Sequence, residues 1–180
     1  MKEKTIGCKR VFEGRLFKVD SLEVRMDSGR TSVREVVRHP GAVAAICETG
    51  DGQFVFVRQY RKAVEKEMLE IVAGTVEDGE SAEACVVREI GEETGYGVEK
   101  LIRLGQVYPS PGYTDEQISL YYALLREWDG CPEADEDEDI DIEKYNRDQV
   151  ELMILSGEVE DAKTISSWLL HEKALQQNRI

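Results

Sequence analysis

A chain of 180 residues, 41% of them hydrophobic, is long enough to form one domain with a sizeable core. Its formal net charge of −14 argues against sequence-independent binding of nucleic acid and against adhesion to anionic membranes, because both depend on basic surface. A small molecule that carries phosphate remains compatible with this charge, since a bound divalent ion reverses the local field.

Cysteine usage and the first residues of the chain indicate the compartment. The cysteines show no CxxC spacing, which favours reduced thiols over a disulfide framework: Cys8, Cys47, Cys85 and Cys131. The segment MKEKTIGCKR lacks the apolar stretch of a signal peptide, and no apolar run approaches the ~18 residues of a membrane-spanning helix. We therefore expect a cytoplasmic protein.

Strand-like patterns fill the first half of the chain. We predict two strands within 8–27, roughly RVFEGRLFKVD and SLEVRMD, separated by turn-forming Gly and Asp. Further strands are predicted at 33–38, 41–47, 54–60 and 68–72. A helix is predicted from Ser81, whose hydroxyl can cap an N-terminus, to Gly95, which can close a helix in the left-handed conformation. Strands at 102–108, 118–125 and 140–145 and helices at 146–157 and 161–177 complete the pattern. It indicates a single domain, residues 1–180, of mixed α/β layers with sheets between helices.

Three glutamates crowd one side of the predicted central helix. At ~100° per residue, Glu89 and Glu93 lie one above the other with Glu92 beside them. Like charges at this spacing cost a helix roughly 0.2–0.5 kcal/mol per pair. The alternative is an exposed amphipathic helix with a solvated acidic face. The cluster favours a bound cation, and all-oxygen ligation suits Mg²⁺ or Mn²⁺ sharing its shell with a substrate phosphate.

Zinc binding and catalysis by histidine are nearly excluded by the histidine content of the chain. The chain has two histidines far apart in sequence, which argues against a zinc site and against a Ser-His-Asp arrangement. We predict a turn position for His39, before Pro40, and an exposed position for His171 on the last helix. Acid–base chemistry then falls to carboxylates.

The spacing G-x5-E-x7-R-E-U-x-E-E-x-G-U, where U is a bulky apolar residue, resembles the Nudix box of diphosphate hydrolases. Its positions are filled here by Gly74, Glu80, Arg88, Glu89, Ile90, Glu92, Glu93, Gly95 and Tyr96, the tyrosine standing where an aliphatic residue is more usual. The segments RHPGAVAAI, FVRQYRKAVEKEMLEIVAG, PSPGYTDE and GEVEDAKTISSWLL resemble the ADP-ribose pyrophosphatase branch, over roughly residues 10–172. The resemblance implies an α/β fold, a Nudix-type α/β/α sandwich with mixed β-sheets.

The resemblance also implies roles for individual residues. The metal ligands are expected to be Glu89 and Glu93, with Glu92 as the next candidate, together with the carbonyl of Ala73 and, as an extra ligand, Glu138. Arg88 is expected to orient a box carboxylate and to belong with Glu92 and Glu136 among the catalytic residues. Glu80 is expected to support the loop before the helix, and Val86, Val87 and Ile90 to anchor the other face of the helix.

The acidic segment 133–143 supplies the expected water-activating base. Its composition alone is typical of a solvated loop. Glu136-Asp137-Glu138-Asp139-Ile140 matches the E-x-E-D-I context of the branch, which makes Glu136 the candidate base. A slip of two residues would exchange the roles of Glu136 and Glu138.

Substrate contacts are expected outside the box. Surface charge is the default for arginine, but guanidinium groups also bind phosphate oxygens in bidentate fashion. The resemblance implies that Arg61, the second arginine of the run Arg58-Gln-Tyr-Arg61, lies at the substrate, and Arg38 is a further candidate phosphate contact. The turn-rich loop 108–116 is either a rigid connector or a substrate loop. The resemblance favours the second and points to four residues in it: Ser110, Pro111, Gly112 and Glu116.

The resulting expectation is a divalent-metal-dependent hydrolase, using Mg²⁺ or Mn²⁺, that cleaves ADP-ribose to AMP and ribose 5-phosphate. The alternatives are a hydrolase of another nucleoside diphosphate sugar, such as a GDP- or ADP-hexose, and a non-catalytic nucleotide-sugar-binding module. No nucleic-acid or membrane partner is expected. The resemblance implies a homodimer to which the N-terminal strands, about 8–38, contribute.

Overall fold

The computed structural model describes residues 2–127 and 140–180. Within it the chain divides into two compact units. The first comprises Met1–Gly41 with Tyr108–Gln117, and the second comprises Ala42–Val107 with Ile118–Ile180.

The first unit is built on an antiparallel three-stranded sheet. Its strands are β1 (Glu3–Glu13), β2 (Lys18–Met26) and β3 (Thr31–Arg38), paired in the order β1-β2-β3. The loop 108–117 is hydrogen-bonded to β3, since the Val37 amide donates to the Tyr113 carbonyl at 2.8 Å. Two strands are present as predicted, but their division is not at the predicted Asp20, which lies within β2. The turn lies at 14–17, where the Gly14 amide donates to the Phe17 carbonyl at 3.0 Å, and β1 begins at Glu3.

The second unit holds a mixed sheet and the helices. Its elements are β4 (Ala42–Glu48), β5 (Phe54–Arg61), β6 (Lys66–Glu70), β7 (Val72–Thr75), α1 (Ala82–Thr94), β8 (Gly97–Val107), β9 (Ile118–Arg126), β10 (Ile140–Tyr145), α2 (Arg147–Ser156) and α3 (Ala162–Gln176). The strand order is β10-β5-β4-β9-β8, with β6 paired to β5 and β7 paired to β4. The sheet is mixed because β4 and β9 run parallel while the other pairs are antiparallel. The strand predicted at 68–72 is divided at Ile71 into β6 and β7.

The alternation along β4 separates two cores, one on each face of this sheet. Ala44 and Ile46 belong to the cluster that contains Trp168 of α3 and residues of α2. Val43 and Ala45 belong to the cluster that contains Ile90 of α1. Helix α1 therefore covers one face and α2 with α3 covers the other, which confirms the α/β/α layering. No helix in residues 2–127 or 140–180 is both long and apolar enough to cross a membrane.

The anchoring face of α1 differs slightly from the prediction. Val86 and Ile90 are fully buried, as predicted, and Cys85 is buried with them. Val87 is 44% exposed, so its predicted anchoring role is wrong. The helical rotation of ~100° per residue carries it off the face that packs on the sheet.

His171 is buried, and the prediction of an exposed position is wrong. Its ring stacks on Tyr122 with centroids 5.3 Å apart and makes edge contacts with Phe54 at 5.5 Å. Burial lowers the pKa of His171 to about 4, because the apolar surroundings disfavour the imidazolium. His171 lies on the face of α3 that is buried, and the sequence pattern did not show which face of this helix would be covered.

This burial predicts a pH-dependent stability. The unfolded chain binds a proton at His171 near pH 6.5 and the folded chain near pH 4, so the unfolded state binds more protons between these values. The His171 contribution to the free energy of unfolding should fall by up to about 3 kcal/mol as pH decreases through this window. Urea unfolding at pH 7, 5.5 and 4.5 measures the loss. His171→Leu should show a shallower decline than the wild type and His39→Gln should not; parallel curves for His171→Leu and the wild type would contradict the prediction.

Candidate active site

Local sequence sets the ends of the helix that carries the glutamates. The Ser81 side chain accepts a hydrogen bond from the Ala84 amide at 3.1 Å, which caps the N-terminus of α1. Gly95 closes the other end with φ 71°, and its amide donates to the Gly91 carbonyl at 2.9 Å. Both caps agree with the sequence prediction.

Arg88 is the centre of a carboxylate network on α1. Its Nε and Nη2 donate to the two oxygens of Glu80 at 3.0 and 3.1 Å. Its Nη1 lies 2.7 Å from Glu92 Oε2 and 2.9 Å from Glu89 Oε1. One guanidinium therefore holds three box carboxylates, which fits the predicted orienting role.

The same contacts fix the charges of the network. Hydrogen bonds from Arg88 lower the pKa of Glu80 to about 2, so this carboxylate is ionised at all physiological pH. The pKa of Arg88 is raised, first by its hydrogen bond to Glu80. The backbone amide of Glu77 also donates to Glu80 at 3.2 Å. Glu80 thus ties the preceding loop to α1, as the sequence predicted.

Gly74 explains how Glu89 is placed. An added Cβ at Gly74 would lie 1.8 Å from Glu89 Cδ and 1.9 Å from its Oε1, far inside any real contact. The Glu89 carboxylate is therefore packed directly over the backbone of β7. Strand β7 is held in turn by its pairing with β4, where Ala44 opposes Ala73. Such close approach to backbone requires glycine.

The residues predicted to bind a divalent ion are partly gathered here. The Glu89 carboxylate lies over Gly74, next to Ala73, and Glu93 is 9% exposed on the same helix. Within 2–127 and 140–180, no three Asp, Glu, His or Cys side chains are grouped closely enough to hold a metal ion by themselves. The other expected ligands are a backbone carbonyl and Glu138; both Glu138 and the candidate base Glu136 lie outside the described residues. A carboxylate set on a glycine cradle, with a carbonyl beside it, fits a hard ion that also takes oxygens from water and substrate.

Arg61, predicted to bind substrate, is paired with the buried carboxylate of Glu70. Its Nε and Nη2 donate to Glu70 Oε1 and Oε2 at 2.9 and 2.8 Å, and Lys163 of α3 donates to the same Oε2. Burial raises the pKa of Glu70, but the two cations outweigh it and lower the pKa overall. Sequence reasoning missed Glu70 and Lys163. A charged residue inside the apolar run MLEIVAG was the available signal, since buried charges need partners.

The remaining predicted contacts lie in the first unit. Arg38 Nε donates to Asp20 at 3.1 Å and its Nη1 donates to Asp115 at 2.8 Å. Asp115 also accepts from the His39 amide at 3.0 Å, which fits the predicted turn position of that histidine. In the loop 108–117, the Ser110 carbonyl accepts from the Tyr113 amide at 3.2 Å, so that Pro111 and Gly112 lie in a turn, and the Glu116 amide donates to Thr114. The sequence did not indicate Asp20 or Asp115.

Comparison with known proteins agrees with this fold. The NUDIX domain model matches residues 38–169, and the chain belongs to the NUDIX family. It is 42% identical over 164 residues to the methanol dehydrogenase activator of Bacillus methanolicus, covering 91% of this chain and 89% of the relative. It is 36% identical over 182 residues to the ADP-ribose pyrophosphatase of Bacillus subtilis (strain 168), covering 99% and 98%. A crystal structure of an ADP compounds hydrolase superposes with a TM-score of 0.84 at 23% identity, over 100% of this chain and 98% of the other.

Proposed function

We propose that this protein hydrolyses the diphosphate of ADP-ribose to AMP and ribose 5-phosphate, with Mg²⁺ or Mn²⁺. The observation that carries the proposal is the box geometry, in which Arg88 holds three carboxylates and Glu89 is packed over Gly74. ADP-ribose pyrophosphatases of Bacillus subtilis and Mycobacterium tuberculosis, 36% and 32% identical over nearly the whole chain, support the substrate.

Each group has a role in the proposed reaction. Glu89, Glu93 and the Ala73 carbonyl would hold the ion, together with Glu138. When bound, the ion neutralises diphosphate oxygens and acidifies a water molecule. Arg88 keeps Glu89 and Glu92 in place, and Arg61 binds the diphosphate through its guanidinium. Glu136 removes the proton from the attacking water. Arg38 and the loop residues Ser110, Pro111, Gly112 and Glu116 contact the rest of the substrate.

A turnover assay with ADP-ribose in ¹⁸O-labelled water tests the proposal. We expect AMP and ribose 5-phosphate in equal amounts with Mg²⁺ or Mn²⁺, one of the products carrying the label, and no turnover in excess EDTA. The labelled product identifies the phosphorus that is attacked. Absence of turnover with either ion would defeat the proposed activity.

The other nucleoside diphosphate sugars form the comparison panel. GDP-mannose pyrophosphatases are 31–32% identical, but the match covers 73% of this chain. ADP-ribose is favoured because the ADP-ribose pyrophosphatase of Bacillus subtilis is 36% identical over 99% of the chain. We expect kcat/KM for ADP-ribose to exceed that for GDP-mannose or an ADP-hexose at least about tenfold, since loss of fitted polar contacts is costly.

Stimulation of a methanol dehydrogenase is a second candidate function. The relative of that name is 42% identical, a higher figure than for the ADP-ribose pyrophosphatases. Dehydrogenase rates with wild-type protein and with Glu93→Gln separate the possibilities. Stimulation by both proteins would indicate a binding role, and stimulation by the wild type alone would indicate a role that needs hydrolysis.

A cytoplasmic homodimer is the expected state of the protein. The strands of the first unit carry exposed apolar side chains, among them Val11, Phe12 and Val33, each more than half exposed. A second copy packed against these strands would remove such side chains from water. Light scattering coupled to size exclusion should give twice the 20.4 kDa mass of the chain. Val33→Lys should shift the protein to the monomer mass.

A further inference from the structure

The buried carboxylate of Glu70 joins three elements of the second unit. Arg61, the last residue of β5, holds both of its oxygens, and Lys163, the second residue of α3, donates to one of them. The Glu70 side chain is 3% exposed and that of Lys163 is 13% exposed. A carboxylate removed from water in this way stays ionised only with cationic partners.

The fold fixes the position of Lys163. Asp161 caps α3 by accepting from the Thr164 amide at 2.9 Å, and it lies 3.1 Å from Lys163 Nζ. The Thr164 hydroxyl donates to the same carboxylate at 2.5 Å and accepts from the Ile71 amide at 3.0 Å. The N-terminus of α3 is thus bonded to the chain immediately after Glu70, two residues before Ala73.

The pairing with Glu70 determines which nitrogen atoms of the Arg61 guanidinium can contact a ligand. The guanidinium donates to Glu70 from Nε and Nη2, so Nη1 lies outside this pair. Arg61 is 39% exposed at its side chain, so the second edge of the fork can reach an anion. Without Lys163, Arg61 would be the only cation that contacts Glu70 in the described part of the chain, and an incoming phosphate would compete with that carboxylate directly.

We propose that Lys163 is a positioning residue for substrate binding: it holds Glu70 from the α3 side so that Arg61 presents its second edge to the diphosphate. The inference rests on the proposed function, in which Arg61 binds that diphosphate. Lys163 itself does not touch the reacting atoms. Its effect is preorganisation, because an arginine held in one geometry loses little freedom when the anion binds.

Kinetics of Lys163→Gln with ADP-ribose and Mg²⁺ test the proposal. We expect KM to rise about tenfold with kcat changed less than about threefold, since a binding geometry and not the chemical step is affected. The Kd of the non-hydrolysable methylene analogue of ADP-ribose, measured by calorimetry with Mg²⁺, should rise by the same factor. Lys163→Arg keeps the charge and should bring KM back to within about threefold of the wild type.

Two comparisons separate this role from a structural one. Lys66→Gln removes a lysine that pairs with the exposed Glu160 and should leave KM unchanged. In a Glu70→Gln background, Lys163→Gln should raise KM less than about twofold further, because the two residues act as a unit. Unchanged KM and Kd in Lys163→Gln would overturn the proposal. A decrease in both kcat and thermal stability at constant KM would overturn it as well. Wild-type protein that binds the analogue but does not cleave ADP-ribose would defeat the proposed function alone.

Discussion

Replacing Glu93 by Gln should lower kcat for ADP-ribose at least about 10²-fold and leave the protein folded. Removing a hydrogen-bond partner of a metal ligand lowers metal affinity or activity about 10–100-fold. Removing the charge of a ligand itself should lower turnover at least as much. Gln has the shape of Glu without its charge, so the 9% exposed site on α1 stays filled. Steady-state kinetics with saturating Mg²⁺ measure the loss, and calorimetric titration with Mn²⁺ should show weaker ion binding.

Glu83→Gln is the matched control for this change. Glu83 lies on the same helix in its first turn, is exposed and accepts a hydrogen bond from the Tyr121 hydroxyl, which Gln can also accept. Its kcat and thermal midpoint should stay within error of the wild type. If Glu93→Gln retained wild-type turnover and ion affinity, Glu93 would not be a ligand and the assignment of the box would fail.

Gly74→Ala should lower turnover by a similar factor, about 10²-fold or more. The added methyl group would lie 1.8 Å from Glu89 Cδ and 2.4 Å from its Cγ, so the Glu89 side chain must leave its place over β7. These atoms belong to a flexible side chain, and β7 itself can therefore stay in the sheet. Loss of activity should exceed loss of stability, because one ion ligand is displaced while the core is kept.

Gly50→Ala provides the corresponding control. Gly50 lies in the turn between β4 and β5, its added Cβ would meet nothing within 4 Å, and its φ is not positive. Alanine there should change the free energy of unfolding by less than about 1 kcal/mol and leave kcat unchanged. A Gly74→Ala protein with full activity, or one that fails to fold at all, would contradict the placement of Glu89.

The box helix is the part of the structure that the sequence predicted best. The bounds 81–95 correspond to the observed caps at Ser81 and Gly95. Most other strands and helices were also predicted near their observed positions, because apolar periodicity and turn residues act over a few neighbours. The first hairpin is an exception, since its turn lies at 14–17 and not at Asp20. The Arg88–Glu80 pair was also within reach, because the two residues are eight positions apart on one loop and helix.

Contacts between distant segments were out of reach. The Glu70–Lys163 pair joins residues 93 positions apart, and Arg38 contacts Asp115 across 77. The buried faces of α1 and α3 show the same limit. Val87 was predicted to be buried and is exposed, whereas His171 was predicted to be exposed and is buried. A single helix fixes which residues share a face, whereas the sheet beneath it decides which face is covered.

The sequence by itself determined the class of site, because three glutamates, an arginine and two glycines at this fixed spacing are compatible with few kinds of chemistry. Only the tertiary structure decided that Glu89 lies over Gly74 and that Arg61 shares Glu70 with Lys163. The physical reason is the range of the interactions. Helix geometry acts over about four residues, while burial and ion pairing depend on which segments the sheet brings together.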